Sequence, residues 1–187
     1  MDVRLVAVTV LAVAVSGSPH GRRCHVSRYL SVSPTDITAL RQLQGVSEKD
    51  LSSKAMRCYR RMMKHKPSVC DLEPSDRLIL TLERVSLAAD VLTSMSSSAL
   101  SDAVSQSLMA FLTLRDDLMI CRESPEYREP ASKRLRPWLQ RLQRFKKAAS
   151  QACVRNAVLL SLLSLRVEDV SCWAIRNMSL KHRKGER

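Results

Sequence analysis

The chain has 187 residues, of which 26% are charged and 4% aromatic, and its 31 Lys and Arg against 18 Asp and Glu give a formal charge of +13. So few aromatic side chains argue against a base-stacking platform for nucleic acid. The positive excess favours a polyanionic partner such as a glycosaminoglycan, or only keeps a basic surface solvated.

Residues 1–18 are typical of a secretory signal peptide, because MDVR precedes the 11-residue apolar run LVAVTVLAVAV and then the small residues SGS. The apolar run is shorter than the ~20 residues that cross a bilayer, so we expect no membrane insertion. We expect cleavage at about residues 16–22 and a secreted, extracellular product. A single helical domain is then expected over residues 19–180, with a basic disordered tail over 181–187.

Six cysteines follow the expected signal peptide, at Cys24, Cys58, Cys70, Cys121, Cys153 and Cys172. An even number of cysteines in an oxidising compartment predicts disulfides. Their spacing alone leaves the pairing open.

The first predicted helix begins with Ser33 as N-cap and Pro34 at its first position. Glycine is rare and alternating β-branched runs are lacking, so helix is the period expected throughout. Gly45 is expected to interrupt the first helix, and Ser47 to begin a second one. That second helix would carry Cys58 on its buried side.

Residues 64–75 contain two prolines and are predicted to form a loop that holds Cys70. Ser75 is expected to cap a third helix, and a fourth would carry Cys121 at the end of its apolar stripe. After another proline-containing loop comes a short amphipathic helix, whose basic outer face runs from Lys133 to Lys147.

The last predicted helix, from about Ser150 to Asn177, is apolar on two sides. At ~100° per residue one stripe comprises Val154, Val158, Leu162 and Leu165, and the opposite stripe comprises Leu160, Leu163 and Val167. Such a helix either is central in a bundle or presents its second stripe to another protein.

No motif for catalysis, for a metal or for a cofactor is found, and we expect none of these functions. The histidines are scattered over His20, His25, His65 and His182. His25 adjoins Cys24, but a secreted cysteine at the start of a helical domain is more typical of a disulfide than of a metal site. Asn177 begins an Asn-Met-Ser sequon, a candidate for N-glycosylation.

Two segments resemble the lambda interferons. Residues 24–40, CHVSRYLSVSPTDITAL, are similar to the start of those mature proteins, where a Cys-His pair precedes an aromatic residue, a serine-rich step and a Ser-Pro into the first helix. Residues 135–153, LRPWLQRLQRFKKAASQAC, resemble the penultimate helix and the cysteine that opens the last one. The resemblance does not separate type III (lambda) from the related type IV interferons. It implies an all-α, up-up-down-down cytokine bundle of about six helices.

The resemblance also implies disulfides and partners. It implies the pairs Cys24–Cys121 and Cys58–Cys153, which leaves Cys70 and Cys172 to pair with each other. A protein of this family would be a monomer that bridges two class II cytokine receptor chains, one specific and one shared with the interleukin-10 family. That bridging would trigger Janus kinase and STAT signalling and induce antiviral genes.

Aligned on the last helix, the resemblance places Leu160 and Leu163 where lambda proteins carry phenylalanines that face the specific receptor chain. We expect the receptor-binding residues to be Leu160, Leu163, Ser164 and Val167, with contributions from Arg41 and the loop around His65. Leucine offers less anchor area than phenylalanine, which favours a distinct specific receptor, as in the type IV group.

The competing interpretation is a basic secreted host-defence or glycosaminoglycan-binding protein. Its binding surface would be the helix from Lys133 to Lys147 together with the tail over residues 181–187. Steep weakening of activity between low and physiological salt would distinguish this class from a cytokine.

Overall fold

The computed structural model describes residues 24, 27–49, 53–95 and 101–176, with the backbone alone at 46–49 and 101. The expected signal peptide, His20, His25, Asn177, His182 and the tail lie outside the described residues. The described residues form six α-helices and no strand: α1 Pro34–Lys49, α2 Ser53–Met63, α3 Pro74–Thr93, α4 Ser101–Glu123, α5 Arg136–Ala148 and α6 Gln151–Ser164. The all-α prediction is confirmed.

The helix α6 continues into a π-helical turn, Leu165–Val170, and then as helix through residues 171–176. We call this whole stretch, residues 151–176, the last helix. Its start matches the prediction, because the Ser150 hydroxyl accepts a hydrogen bond from the Cys153 amide at 3.3 Å.

The start of α1 is also confirmed, since the Thr35 amide donates to the Ser33 hydroxyl at 3.3 Å. The expected break at Gly45 is wrong, because α1 continues to Lys49 and includes Ser47. Glycine inside a helix costs only about 1 kcal/mol relative to alanine. Burial of Leu40 and Leu43 on the same helix offsets this cost.

The cap predicted for α3 is wrong by two residues. The helix begins at Pro74 after Glu73, because proline is preorganised for the first helical position. Ser75 lies inside the helix, is buried, and donates its hydroxyl to the Glu126 carbonyl at 3.4 Å.

Contacts at the helix ends establish the direction of the four long helices. The Ser75–Glu126 bond places the start of α3 beside the end of α4, so these two helices are antiparallel. Cys70, just before α3, is bonded to Cys172 near the end of the last helix, so this pair is antiparallel too. Arg166 donates to the Ser31 carbonyl at 3.0 Å, just before α1, which packs antiparallel on α6. The order α1, α3, α4, last helix is therefore up-up-down-down, as predicted.

Three disulfides join distant parts of the chain: Cys24–Cys121, Cys58–Cys153 and Cys70–Cys172, with sequence separations of 97, 95 and 102 residues. These are the pairs that the resemblance implies. In the chain-entropy account, loops of this length stabilise a fold by up to ~4–5 kcal/mol each, because the unfolded chain loses freedom.

The last helix is central in the bundle. Six consecutive residues of α6, from Ala157 to Leu162, are buried, so no side of the helix faces solvent there. It packs against α1, α2 and α3. Of the two interpretations of its double stripe, the structure supports the central position. The first stripe is confirmed as core by Val158, Leu162 and Leu165.

Candidate functional site

The π-helical turn of the last helix carries two buried charges. Arg166 and Asp169 are 8% and 4% exposed, whereas Val167 and Glu168 between them face solvent. A π-turn inside an α-helix is rare and is often found at functional sites.

Asp169 joins three elements through two cations. Its carboxylate accepts a hydrogen bond from Lys66 Nζ at 2.9 Å and contacts the guanidinium of Arg84. Burial lowers the pKa of Lys66, and the charge of Asp169 opposes that shift. The three residues, Lys66, Arg84 and Asp169, are called the buried triad below. The triad connects the loop after α2 to α3 and to the last helix.

Arg166 holds the segment that precedes α1. Its guanidinium donates to the Ser31 carbonyl at 3.0 Å and lies 5.9 Å from the centre of the Tyr29 ring. The Tyr29 hydroxyl donates to the Asp117 carboxylate on α4, which also pairs with Arg28. Burial is the chief cause of a raised pKa at Tyr29 and of a lowered pKa at Arg166.

The predicted receptor stripe on the last helix is not a single exposed surface. Leu160 exposes only 8% of its surface, and Leu163 is half-buried against the core. Ser164 donates its hydroxyl to the Ser161 carbonyl at 3.0 Å, and Val167 is 43% exposed. The stripe becomes exposed to solvent only in its last turn, because α1, α2 and α3 pack around the earlier part. Leu160, one of the expected receptor-binding residues, is therefore mostly covered by the neighbouring helices.

The structure brings the loop of His65 to the turn that holds Val167. His65 is exposed and has a left-handed backbone, φ 54°, two residues after the end of α2. Its neighbour Lys66 bonds to Asp169, and the disulfide Cys70–Cys172 ties the same loop to the same helix. We call the residues His65, Leu163, Ser164 and Val167 the loop face.

Arg41 is exposed on α1, which packs against α6. No hydrogen bond or ion pair within the described part of the chain links its side chain to the loop face.

A cleft of about 740 Å³ opens between the segment before α1, the start of α1 and α4. Gln106 donates to the Asp36 carboxylate at 3.1 Å across it, and Arg166 lines it. Met109 on its α4 side is 64% exposed.

The sequence model of the family described as Interleukin-28A matches residues 21–176. The chain belongs to the interleukin-28A family. It is 28% identical to interferon lambda-3 of Mus musculus over 153 residues, covering 81% of this chain and 79% of that protein. It is 26% identical to interferon lambda-1 of Homo sapiens over 180 residues, which cover 92% of this chain and 90% of that protein. It is 28% identical to interferon lambda-3 of Gallus gallus over 158 residues, which cover 83% of this chain and 83% of that protein.

This interferon lambda-like chain is an interferon-type cytokine, and its family is one of cytokines rather than of enzymes. Family membership therefore decides between the two interpretations left by the sequence, in favour of the cytokine. Across the described residues, no helix combines the length and the apolar character needed to cross a membrane.

Residue patterns alone missed the buried triad and the role of Arg166. The available signal was the pair Arg166 and Asp169, two opposite charges at a spacing of three residues in the last predicted helix. Lys66 and Arg84 carry no such signal in the sequence. Their common partner, Asp169, lies 103 residues from Lys66 and 85 residues from Arg84.

Proposed function

We propose that the chain is a secreted antiviral cytokine that brings two class II cytokine receptor chains together. One chain is specific, and the other is shared with the interleukin-10 family. Their association activates Janus kinases and STAT proteins and induces antiviral genes. Membership of the interleukin-28A family supports this proposal, and so do the signal-peptide pattern of residues 1–18 and the double surface described below.

The loop face is the surface proposed for the specific receptor chain. The observation that supports this proposal is that the buried triad and the disulfide Cys70–Cys172 hold the loop of His65 against the turn of Val167. A surface held by a covalent bond and a buried ion pair is preorganised, so binding loses little conformational entropy. Arg41 contributes from α1 in this proposal, and Leu160 supports the face from beneath rather than contacting the receptor.

The cleft beside Met109 is the surface proposed for the second receptor chain. It is lined mostly by the segment before α1 and by α4, whereas the loop face is built from the loop after α2 and the last helix. The two surfaces share only the last helix, through Arg166 in the cleft and Leu163, Ser164 and Val167 on the loop face, so two chains can bind at the same time. Val167 and Met109 are among the large apolar side chains that remain exposed in the described residues.

The test adds the recombinant protein to responsive cells and measures induced antiviral genes, with and without each candidate receptor chain. Induction that needs both chains supports the proposal. Induction that persists after the loss of all class II receptor chains would refute it.

Three matched variants replace an exposed apolar side chain with aspartate. Val167→Asp should weaken binding to the specific chain at least tenfold, since about 1.4 kcal/mol of apolar contact is lost. Met109→Asp should keep that binding and lose signalling, because the second chain is not recruited. Met119→Asp, on α4 but outside the cleft, is the control and should change neither. Equal losses in all three variants would contradict the two-surface arrangement.

Asn177, outside the described residues, stays a predicted glycosylation site. Digestion of the protein secreted by vertebrate cells with a peptide N-glycosidase should lower its mass, and Asn177→Gln should abolish that change.

A further inference from the structure

Two helices carry Lys and Arg without any acidic residue. The helix α2 contains four Lys and Arg and no acidic residue, and α5 contains five Lys and Arg and no acidic residue. By contrast, α3 has three acidic and two basic residues, and α4 has four acidic and two basic residues. Among the described helices, α2 and α5 thus carry most of the excess positive charge.

The two basic helices lie side by side. Arg141 of α5 donates to the Lys64 carbonyl at the end of α2 at 2.8 Å, and the Arg61 guanidinium lies 5.9 Å from the centre of the Phe145 ring. The disulfide Cys58–Cys153 fixes α2 to α6 as well. Arg61 and Arg141 therefore mark the boundary where both basic helices meet.

The exposed cations continue in line from this boundary. Lys54, Arg57 and Arg61 follow one another at spacings of three and four residues, which places them on one side of α2, and Lys64 comes directly after the helix. Arg144 lies one turn beyond Arg141 on α5. We call these six residues the α2–α5 surface. None of them forms an ion pair with a carboxylate within the described residues, so their charge is available to a ligand.

The residue types on and around the α2–α5 surface favour one class of polyanion over the others. Insertion into an anionic bilayer needs exposed apolar side chains, but no large apolar residue is exposed on α2 or α5. Nucleic acid binding by stacking needs exposed aromatic rings, and the aromatic residues of α5 are buried. Four of the six cations are arginines, whose planar guanidinium donates two parallel hydrogen bonds to an oxyanion.

We propose that the α2–α5 surface binds a sulfated glycosaminoglycan chain, with the guanidinium and ammonium groups donating to its sulfate oxygens. Binding releases condensed counterions, so affinity falls with rising salt. The proposal concerns a binding property separate from receptor association, and its binding assay contains no receptor.

The test compares two variants of the full secreted chain that lose three charges each. The first, Arg57→Gln/Arg61→Gln/Arg144→Gln, changes the α2–α5 surface. The control, Arg128→Gln/Arg155→Gln/Arg176→Gln, removes three exposed arginines from other elements. The first variant should bind immobilised heparin about tenfold or more weakly and elute at lower salt, whereas the control should stay close to the unsubstituted protein. If the first variant folds poorly, Lys54→Gln/Arg57→Gln/Arg144→Gln replaces it in the test, because this variant retains the Arg61–Phe145 contact.

Equal weakening in the surface variant and the control would overturn the proposal, because net charge alone would then explain binding. Equal or tighter binding to double-stranded DNA or to phosphatidylserine vesicles than to heparin would also overturn it. On cells that lack glycosaminoglycans, the surface variant should signal as well as the unsubstituted protein. Loss of that signalling would instead assign the surface to a receptor.

Discussion

The buried triad permits a sharp test, in which Asp169→Asn removes its only anion and preserves the shape of the side chain. Lys66 and Arg84 would then share no carboxylate, and their remaining partners would be the Pro67 and Ser161 carbonyls, each at 3.4 Å. Taking one partner from a buried ion pair costs about 3–5 kcal/mol, because the remaining charge is desolvated without compensation. That is a large part of the ~5–15 kcal/mol that stabilises an ordinary domain.

The assay is denaturant unfolding with the disulfides intact, followed by circular dichroism and by the fluorescence of the two buried tryptophans. A loss of this size should lower Tm by roughly 10 °C for a chain of this length. The deficit should shrink as the pH rises from neutral toward about 10, because Lys66, whose pKa is already lowered, can then lose its proton.

Two further variants decide the interpretation. Asp116→Asn removes a carboxylate that is 62% exposed and 3.9 Å from Arg115, so it should cost at most ~1 kcal/mol. The triple variant Lys66→Met/Arg84→Met/Asp169→Leu should recover most of the lost stability, since apolar groups of similar volume replace the charges. The reasoning is refuted if Asp169→Asn costs no more than Asp116→Asn, or if the triple variant is as unstable as the single one.

Three other predictions follow from single side chains. Leu160→Ala should lower the free energy of unfolding by about 2–5 kcal/mol, with receptor binding reduced only as far as folding is; equal stability with lost binding would contradict its burial. Tyr29 has a raised pKa, so its stabilising contribution should be complete below the unfolded value of about 10 and lost as the pH rises through the higher folded value. Denaturant midpoints of unfolding should therefore decline less at alkaline pH in Tyr29→Phe than in the unsubstituted protein. The same decline with pH in both proteins would contradict this prediction. His65→Gly should raise the unfolding free energy by about 0.5–1 kcal/mol, because glycine adopts a left-handed backbone without steric cost, and denaturant unfolding that shows a loss would contradict it.

Local rules predicted most of the helical architecture. Ser33 with Pro34 and Ser150 gave correct helix starts, because the caps act within one turn of the chain. Gly45 gave a wrong boundary because packing of neighbouring residues outweighed a preference of about 1 kcal/mol. Ser75 gave another because Pro74, just before it, is preorganised for the first helical position.

The site was predicted less well than the fold. A helical period of 3.6 residues placed Leu160 and Val167 on one stripe, yet only Val167 is well exposed. Periodicity says which residues share a side of a helix, but the neighbouring helices decide whether that side faces solvent. Residue patterns also gave no link between His65 and Val167, which lie about a hundred residues apart.

The sequence by itself determined the helical class, the six cysteines and the resemblance to interferon-like cytokines, because periodicity, residue type and motif order are local properties of a chain. Only the tertiary structure decided that the last helix is central and that Lys66 and Arg84 share the carboxylate of Asp169. It also decided that the basic helices α2 and α5 are adjacent. These features depend on contacts between residues far apart in the chain, whose free energies no local pattern contains.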